Sequence, residues 1–208
     1  GADYGLVVLP YFHTANAPGG NAAFLERVAD DSPLPLYLYN IPSCTGDEIT
    51  AGTVRDLADH PSVVGLKDSS GDFGYLTDVL ADAPEGFEVY QGVDDGMVPA
   101  ALMGATGGIN ALSNAVPEVF VAAVDALDAD ATARAREIHA NGLKPLFAYC
   151  DAFGFAPATQ AALLARGRMP PRGGGARGGG AGPPLVALDA DGRAGVADAV
   201  EGALALVE

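Results

Sequence analysis

The chain has no tryptophan, two cysteines, two lysines and three histidines in 208 residues, and each shortage removes a class of function. Cys44 and Cys150 lie far apart without metal-ligand spacing, and His13, His60 and His139 are scattered, so no metal is expected. No apolar run is long enough to cross a bilayer. Positive charge is scarce too: 11 basic residues face 27 acidic ones, for a formal charge of −16. A surface that negative repels phosphate backbones and anionic lipid, which argues against nucleic-acid and membrane partners. Without a signal-like N-terminus, and with thiols that read as reduced, the expected compartment is cytoplasmic. Aspartate exceeds glutamate and arginine exceeds lysine, a balance expected of a halophilic protein, where salt screens the self-repulsion.

What is present is an alternation of short apolar runs with helical spacing. Leu6-Val7-Val8-Leu9-Pro10, Leu36-Tyr37-Leu38-Tyr39-Asn40, Val63-Val64-Gly65-Leu66-Lys67, Glu88-Val89-Tyr90-Gln91-Gly92 and Ile109-Asn110-Ala111-Leu112 read as strands. Helices are expected between them over 21–30, 47–59, 72–81 and 96–103. Such strand–helix units demand right-handed crossovers and a parallel sheet. A doubly wound sheet and a barrel both satisfy the pattern, and a complete eight-stranded barrel takes about 250 residues. From Pro117 the spacing is helical throughout, over 117–127, 131–140, 143–152 and 157–165, the last helix opening on a proline, and again over 194–207. The expected division is therefore an α/β portion at 1–116, a helical extension at 117–165, a flexible Gly/Arg/Pro loop at 166–184 and a closing helical segment at 185–208. An RNA-binding arginine-glycine tract is the alternative reading of that loop.

Chemistry concentrates at the strand ends. Lys67 closes an apolar run and is followed at once by Asp68, Ser69, Ser70 and Gly71, which places an amine where parallel α/β folds keep their active sites. An amine desolvated there can attack a ketone, and Tyr39 at the end of the neighbouring run can relay the protons that carbinolamine dehydration needs. Two plainer readings stand beside this one. Lys67 can reach the surface or pair with Asp68, and Tyr39 can be a core aromatic whose hydroxyl finds a backbone partner.

Four segments in order carry a family resemblance: Tyr39-Asn40-Ile41-Pro42-Ser43-Cys44-Thr45-Gly46, then Gly65-Leu66-Lys67-Asp68-Ser69-Ser70-Gly71-Asp72, then Gly92-Val93-Asp94-Asp95, then Gly104-Ala105-Thr106-Gly107-Gly108-Ile109. They resemble successive signatures of the dihydrodipicolinate synthase and N-acetylneuraminate lyase family, from Gly1 to about Ala165. The resemblance implies a partial TIM (β/α)8 barrel, about five of its eight units with the N-terminal ones absent, plus a C-terminal helical extension and a homotetrameric assembly. It also implies class I aldolase chemistry on pyruvate with no cofactor beyond a covalent Schiff base. Lys67 would be the Schiff-base lysine and Tyr39 the proton-shuttling phenol. Ile109 would offer its backbone to the pyruvyl group, and Ser69, Gly92, Asp94 and Thr45 would belong to the substrate-binding set.

Departures from the pattern direct the choice of branch. Cys44 stands where the synthases carry an arginine, Phe12 where they carry a second tyrosine, and Ala111 where sialic-acid lyases carry a serine. The resemblance then points to the 2-keto-3-deoxy sugar-acid aldolases, with 4-hydroxy-tetrahydrodipicolinate synthase or a related dehydratase as the alternative. The family's segment that cradles the pyruvate carboxylate has no counterpart in this chain, so a fragment poorly active alone is expected. A non-enzymatic reading also remains: a receiver-like module on a doubly wound sheet, using Lys67 with the Asp94–Asp95 pair.

Overall fold

A computed structural model describes residues 1–12, 18–169 and 183–208. His13 and most of the expected Gly/Arg/Pro loop lie outside the described residues. The chain divides into two compact units, Gly1–Ile109 and Asn110–Glu208.

In the first unit the elements alternate as expected: β1 (Gly5–Val8), α1 (Pro18–Asp31), β2 (Leu36–Asn40), α2 (Pro42–Thr45), α3 (Ala51–Ala58), β3 (Val63–Asp68), α4 (Phe73–Asp82), β4 (Glu88–Gln91), α5 (Met97–Leu102) and β5 (Gly107–Gly108). All strand pairs are parallel, and the order across the sheet is β1-β2-β3-β4-β5. Each crossover therefore steps one strand onward in the same direction, which is the winding of a barrel. A doubly wound sheet must reverse direction at a switch point. The doubly wound alternative, and the receiver-like module that depends on it, are excluded by this order.

Side chains alternate across the strands, and the two faces differ in kind. Leu36, Leu38, Leu66 and Val89 point to the helix-covered side, where they pack with Leu25, Leu76 and Val79 in the buried core. Tyr37, Tyr39, Lys67, Glu88 and Tyr90 occupy the intervening positions and share the opposite face. That face is where the polar and aromatic side chains gather.

In this unit the third helix and the fifth strand depart from their expected bounds. The helix expected over 47–59 begins only at Ala51, because residues before it are engaged elsewhere: the Ile49 amide donates to Asn40 Oδ1 at 3.0 Å, and Thr50 caps the helix by accepting from the Thr53 amide at 3.1 Å. The fifth strand is Gly107–Gly108 rather than residues 109–112. Leu112–Asn114 instead forms a 3₁₀ turn, with the Ser113 hydroxyl donating to the Asn110 carbonyl at 2.7 Å.

The second unit is helical: α6 (Pro117–Asp128), α7 (Thr132–Ile138), a π-helical turn His139–Leu143, α8 (Lys144–Phe153), α9 (Phe155–Ala165) and α10 (Ala190–Ala205). Helix α9 starts two residues before Pro157, after Gly154 breaks the chain direction at φ 91°. Arg166, at the C-cap of α9, forms a two-pronged pair with Glu118 at 2.8 and 2.7 Å and also donates to the Ala115 carbonyl. α10 begins at Ala190, several residues earlier than helical spacing alone placed it, with the carboxylate of Asp189 at its N-cap accepting from the Gly192 amide at 2.8 Å.

Candidate active site

The carboxyl ends of β2, β3 and β4 put Tyr39, Lys67 and Tyr90 side by side in register. The Lys67 ammonium lies over the Tyr39 ring, 4.1 Å from its centroid. Lys67 does not pair with its sequence neighbour Asp68, because successive strand residues face opposite ways. Asp68 is buried on the helix side, where it accepts from Asn40 Nδ2 at 2.9 Å, from the Ser70 amide at 3.1 Å and from the Ser70 hydroxyl at 3.0 Å. Burial pushes the Asp68 carboxyl above its usual range, and these hydrogen bonds oppose the shift.

Gly92 follows β4 directly, beside the lysine. A Cβ there would sit 1.9 Å from Ser69 Oγ, 2.9 Å from the Asp68 carbonyl and 3.0 Å from Lys67 Cε. Its own amide donates to the Asp68 carbonyl at 2.6 Å. Glycine at 92 thus accommodates the close approach of Ser69 and of the Asp68 carbonyl beside the lysine, a tertiary reason that spacing alone could not supply. Ser69 is half-buried, its amide donating to the Asn40 carbonyl at 2.8 Å and its hydroxyl lying over Gly92.

The remaining expected residues divide. Ile109 is exposed, and its amide donates to the Gln91 carbonyl at 3.0 Å, so its backbone is pinned at the carboxyl end of β4. Thr45 is buried at the end of α2, with its hydroxyl within 3.0 and 2.7 Å of the Ile41 and Asp47 carbonyls. Asp94 is also fully buried, at the start of the 3₁₀ turn Asp94–Gly96. Cys44 is exposed with a free thiol. Among the described residues no group of three or more His, Cys, Asp or Glu side chains could hold a metal ion.

A cluster not singled out in the sequence lies deeper on the lysine's face. Tyr37 donates to the Glu88 carboxylate, and its ring sits 5.5 Å from that of Tyr4 and 5.7 Å from that of Tyr90. Burial, reinforced by Glu88, raises the Tyr37 phenol above its ordinary range, and Tyr90 shifts the same way for the same reasons. Gly65 makes room for the Tyr37 ring: a Cβ would lie 2.7 Å from Tyr37 Cε1 and 2.3 Å from the Glu88 carbonyl. The signal was available, since Tyr37, Glu88 and Tyr90 alternate with the core-facing residues of their strands.

The first unit thus holds a barrel-wound parallel sheet with one lysine amine over one tyrosine ring at the ends of adjacent strands. The model of the dihydrodipicolinate synthetase family matches residues 1–167, and the chain belongs to that family. It is 43% identical over 127 residues to 4-hydroxy-tetrahydrodipicolinate synthase of Exiguobacterium sp. (strain ATCC BAA-1283 / AT1b), a match covering 61% of this chain and 43% of that protein. With the Salinibacter ruber enzyme of the same name it shares 40% identity over 151 residues, or 72% of this chain and 49% of the relative. Among solved structures, dihydrodipicolinate synthase from Acinetobacter baumannii complexed with pyruvate superposes with a TM-score of 0.84 at 26% identity, covering 98% of this chain and 66% of that one. YagE, a prophage protein of the same family from E. coli in complex with pyruvate, gives a TM-score of 0.83 at 26% identity over 98% of this chain and 67% of that one. The chain therefore spans about half the length of these curated relatives and about two thirds of the solved chains. Its sheet is five consecutive βα units of the TIM-barrel type.

Proposed function

We propose that Lys67 forms a Schiff base with pyruvate or a 2-keto acid and that the chain carries the lysine-bearing part of a class I carbon-carbon lyase. The observation that supports this best is the contact between the Lys67 amine and the Tyr39 ring at the ends of adjacent strands. In the proposed reaction the neutral amine adds to the C2 carbonyl, and the carbinolamine loses water to leave an iminium. That iminium accepts the electron pair released when the bond between C3 and C4 breaks, or, in the reverse sense, yields the enamine that attacks an aldehyde. Tyr39 passes the protons that leave with water and return at C3. No metal or organic cofactor is required.

Two readings of the aldehyde partner each have an observation behind them. Cys44 in the place of an arginine, exposed in the short helix α2 that follows β2, leaves no cation at that position for a second carboxylate and favours 2-keto-3-deoxy sugar acids. The names of the curated relatives favour aspartate semialdehyde, the 4-hydroxy-tetrahydrodipicolinate synthase reaction, at least as strongly. A homotetramer, a cytoplasmic setting and adaptation to high salt belong to the same proposal, the last supported by the charge of −16. No helix among the described residues is long and apolar enough to cross a membrane.

Borohydride reduction in the presence of pyruvate, followed by peptide mass mapping, tests the common step. A reduced pyruvyl adduct is expected on Lys67, absent in Lys67→Ala and formed more slowly in Tyr39→Phe. An adduct that survives Lys67→Ala, or forms on Lys144 alone, refutes the assignment. Cleavage of 2-keto-3-deoxygluconate measured against condensation of pyruvate with aspartate semialdehyde, in a chain that includes the remaining barrel units, then separates the two partners.

A further inference from the structure

The residues immediately after Tyr39 and Lys67 are buried polar side chains that bond to each other. Asn40 is 1% and Asp68 0% exposed, and they meet through Asn40 Nδ2 and Asp68 Oδ1 at 2.9 Å on the helix side of the sheet. From this pair hydrogen bonds reach in every direction. Asn40 Oδ1 accepts from the Ile49 amide at 3.0 Å, and the Asn40 carbonyl accepts from the Ser69 amide at 2.8 Å. The Asp68 carboxylate holds the Ser70 amide and hydroxyl at 3.1 and 3.0 Å, and its carbonyl accepts from the Gly92 amide at 2.6 Å. Strands β2, β3 and the end of β4 are tied together at one level, the level of the amine and the phenol.

A buried carboxylate–amide pair is an expensive way to fill an apolar layer, since hydrophobic side chains of similar volume commonly stabilise as well or better. What the polar pair supplies is register. The pairing of β2 with β3 carries an irregularity between Leu36 and Tyr37, where one residue is inserted in the ladder, so its alignment is not fixed from the strand starts. A one-residue slip would turn Lys67 from the Tyr39 face to the helix side. We infer that the hydrogen bond between Asn40 and Asp68 is a register clamp, and that both are positioning residues holding the Lys67 amine against Tyr39. The clamp rests on the reading of Lys67 as the Schiff-base lysine for its purpose, though not for its geometry.

The lysine count makes a test available that does not need the substrate. Lys67 and Lys144 are the two lysines of the chain, and Lys144 is exposed, so limited acetylation with acetic anhydride gives a ratio of Lys67 to Lys144 labelling with a built-in reference. In Asp68→Ala and Asn40→Ala, checked for folding by thermal melts, that ratio shifts by about threefold or more as the amine leaves the ring. The rate of borohydride trapping with pyruvate falls by about tenfold or more in the same variants. Asp68→Asn is the rescue variant: its Oδ1 can accept from Asn40 and Ser70, and its Nδ2 can donate to the Ser70 hydroxyl. It keeps the labelling ratio and the trapping rate within about twofold of the parent. A folded Asp68→Ala or Asn40→Ala with the parental ratio overturns the clamp. So does an Asp68→Asn variant that loses as much as alanine, because the charge and not the position would then be responsible. Should the parent chain trap no pyruvate, the Schiff-base reading fails while the labelling ratios still decide the clamp; should both alanine variants unfold, the labelling ratio of Asp68→Asn decides it.

Discussion

At position 92 a single methyl group would crowd the Ser69 hydroxyl, the Asp68 carbonyl and the Lys67 side chain together. The Cβ of an alanine would overlap Ser69 Oγ at 1.9 Å and press on Lys67 Cε at 3.0 Å, so Gly92→Ala is expected to destabilise by about 1–3 kcal/mol and to slow pyruvate trapping more than its stability loss explains. Chemical denaturation alongside the trapping rate separates the two effects. That Lys67 and Tyr39 lie side by side was legible, because a lysine and a tyrosine closing neighbouring apolar runs face the same way once the strands are parallel. Why residue 92 is glycine was not, since close approach between strands is set by packing. The partners of the Thr45 hydroxyl, the Ile41 and Asp47 carbonyls, were likewise not legible, because they depend on how the chain turns after β2.

Among the elements, the turn of α9 that ends at Arg166 illustrates how a charge can serve as an anchor. The Arg166 fork holds the Glu118 carboxyl down at about 2, well under its ordinary value of 4.5, chiefly through direct hydrogen bonds. Because the folded value is the lower one, the stability this gives is complete above about pH 4.5 and is lost as pH falls towards 2. Glu118 is 42% exposed, so solvent screening keeps the contribution modest. Thermal melts from pH 5 to pH 2 should show Glu118→Gln losing less stability over that window than the parent, and lying below it at neutral pH. Element kinds were readable from apolar spacing, whereas element ends were decided by individual side chains. Asn40 draws the 47–49 segment away from α3, and Asp189 starts α10 early, choices that periodicity does not encode.

For the whole molecule, 27 acidic against 11 basic side chains make self-repulsion a global term that no single contact answers. Screening should therefore raise the melting temperature steadily from millimolar to molar sodium chloride, and a melting temperature that falls or stays level would count against adaptation to salt. The alternation of strands and helices was enough to establish a parallel sheet, but left its winding open, since barrel and doubly wound sheets share that alternation; the strand order decided it. That order also bears on how the chain acquires its structure. Every strand partner is the strand made just before it, from Gly5 with Leu36 to Tyr90 with Gly107, spans of roughly 17 to 31 residues. On a ribosome each new strand would emerge to find its docking edge already built, so the sheet can grow outward by accretion without waiting for any distant segment.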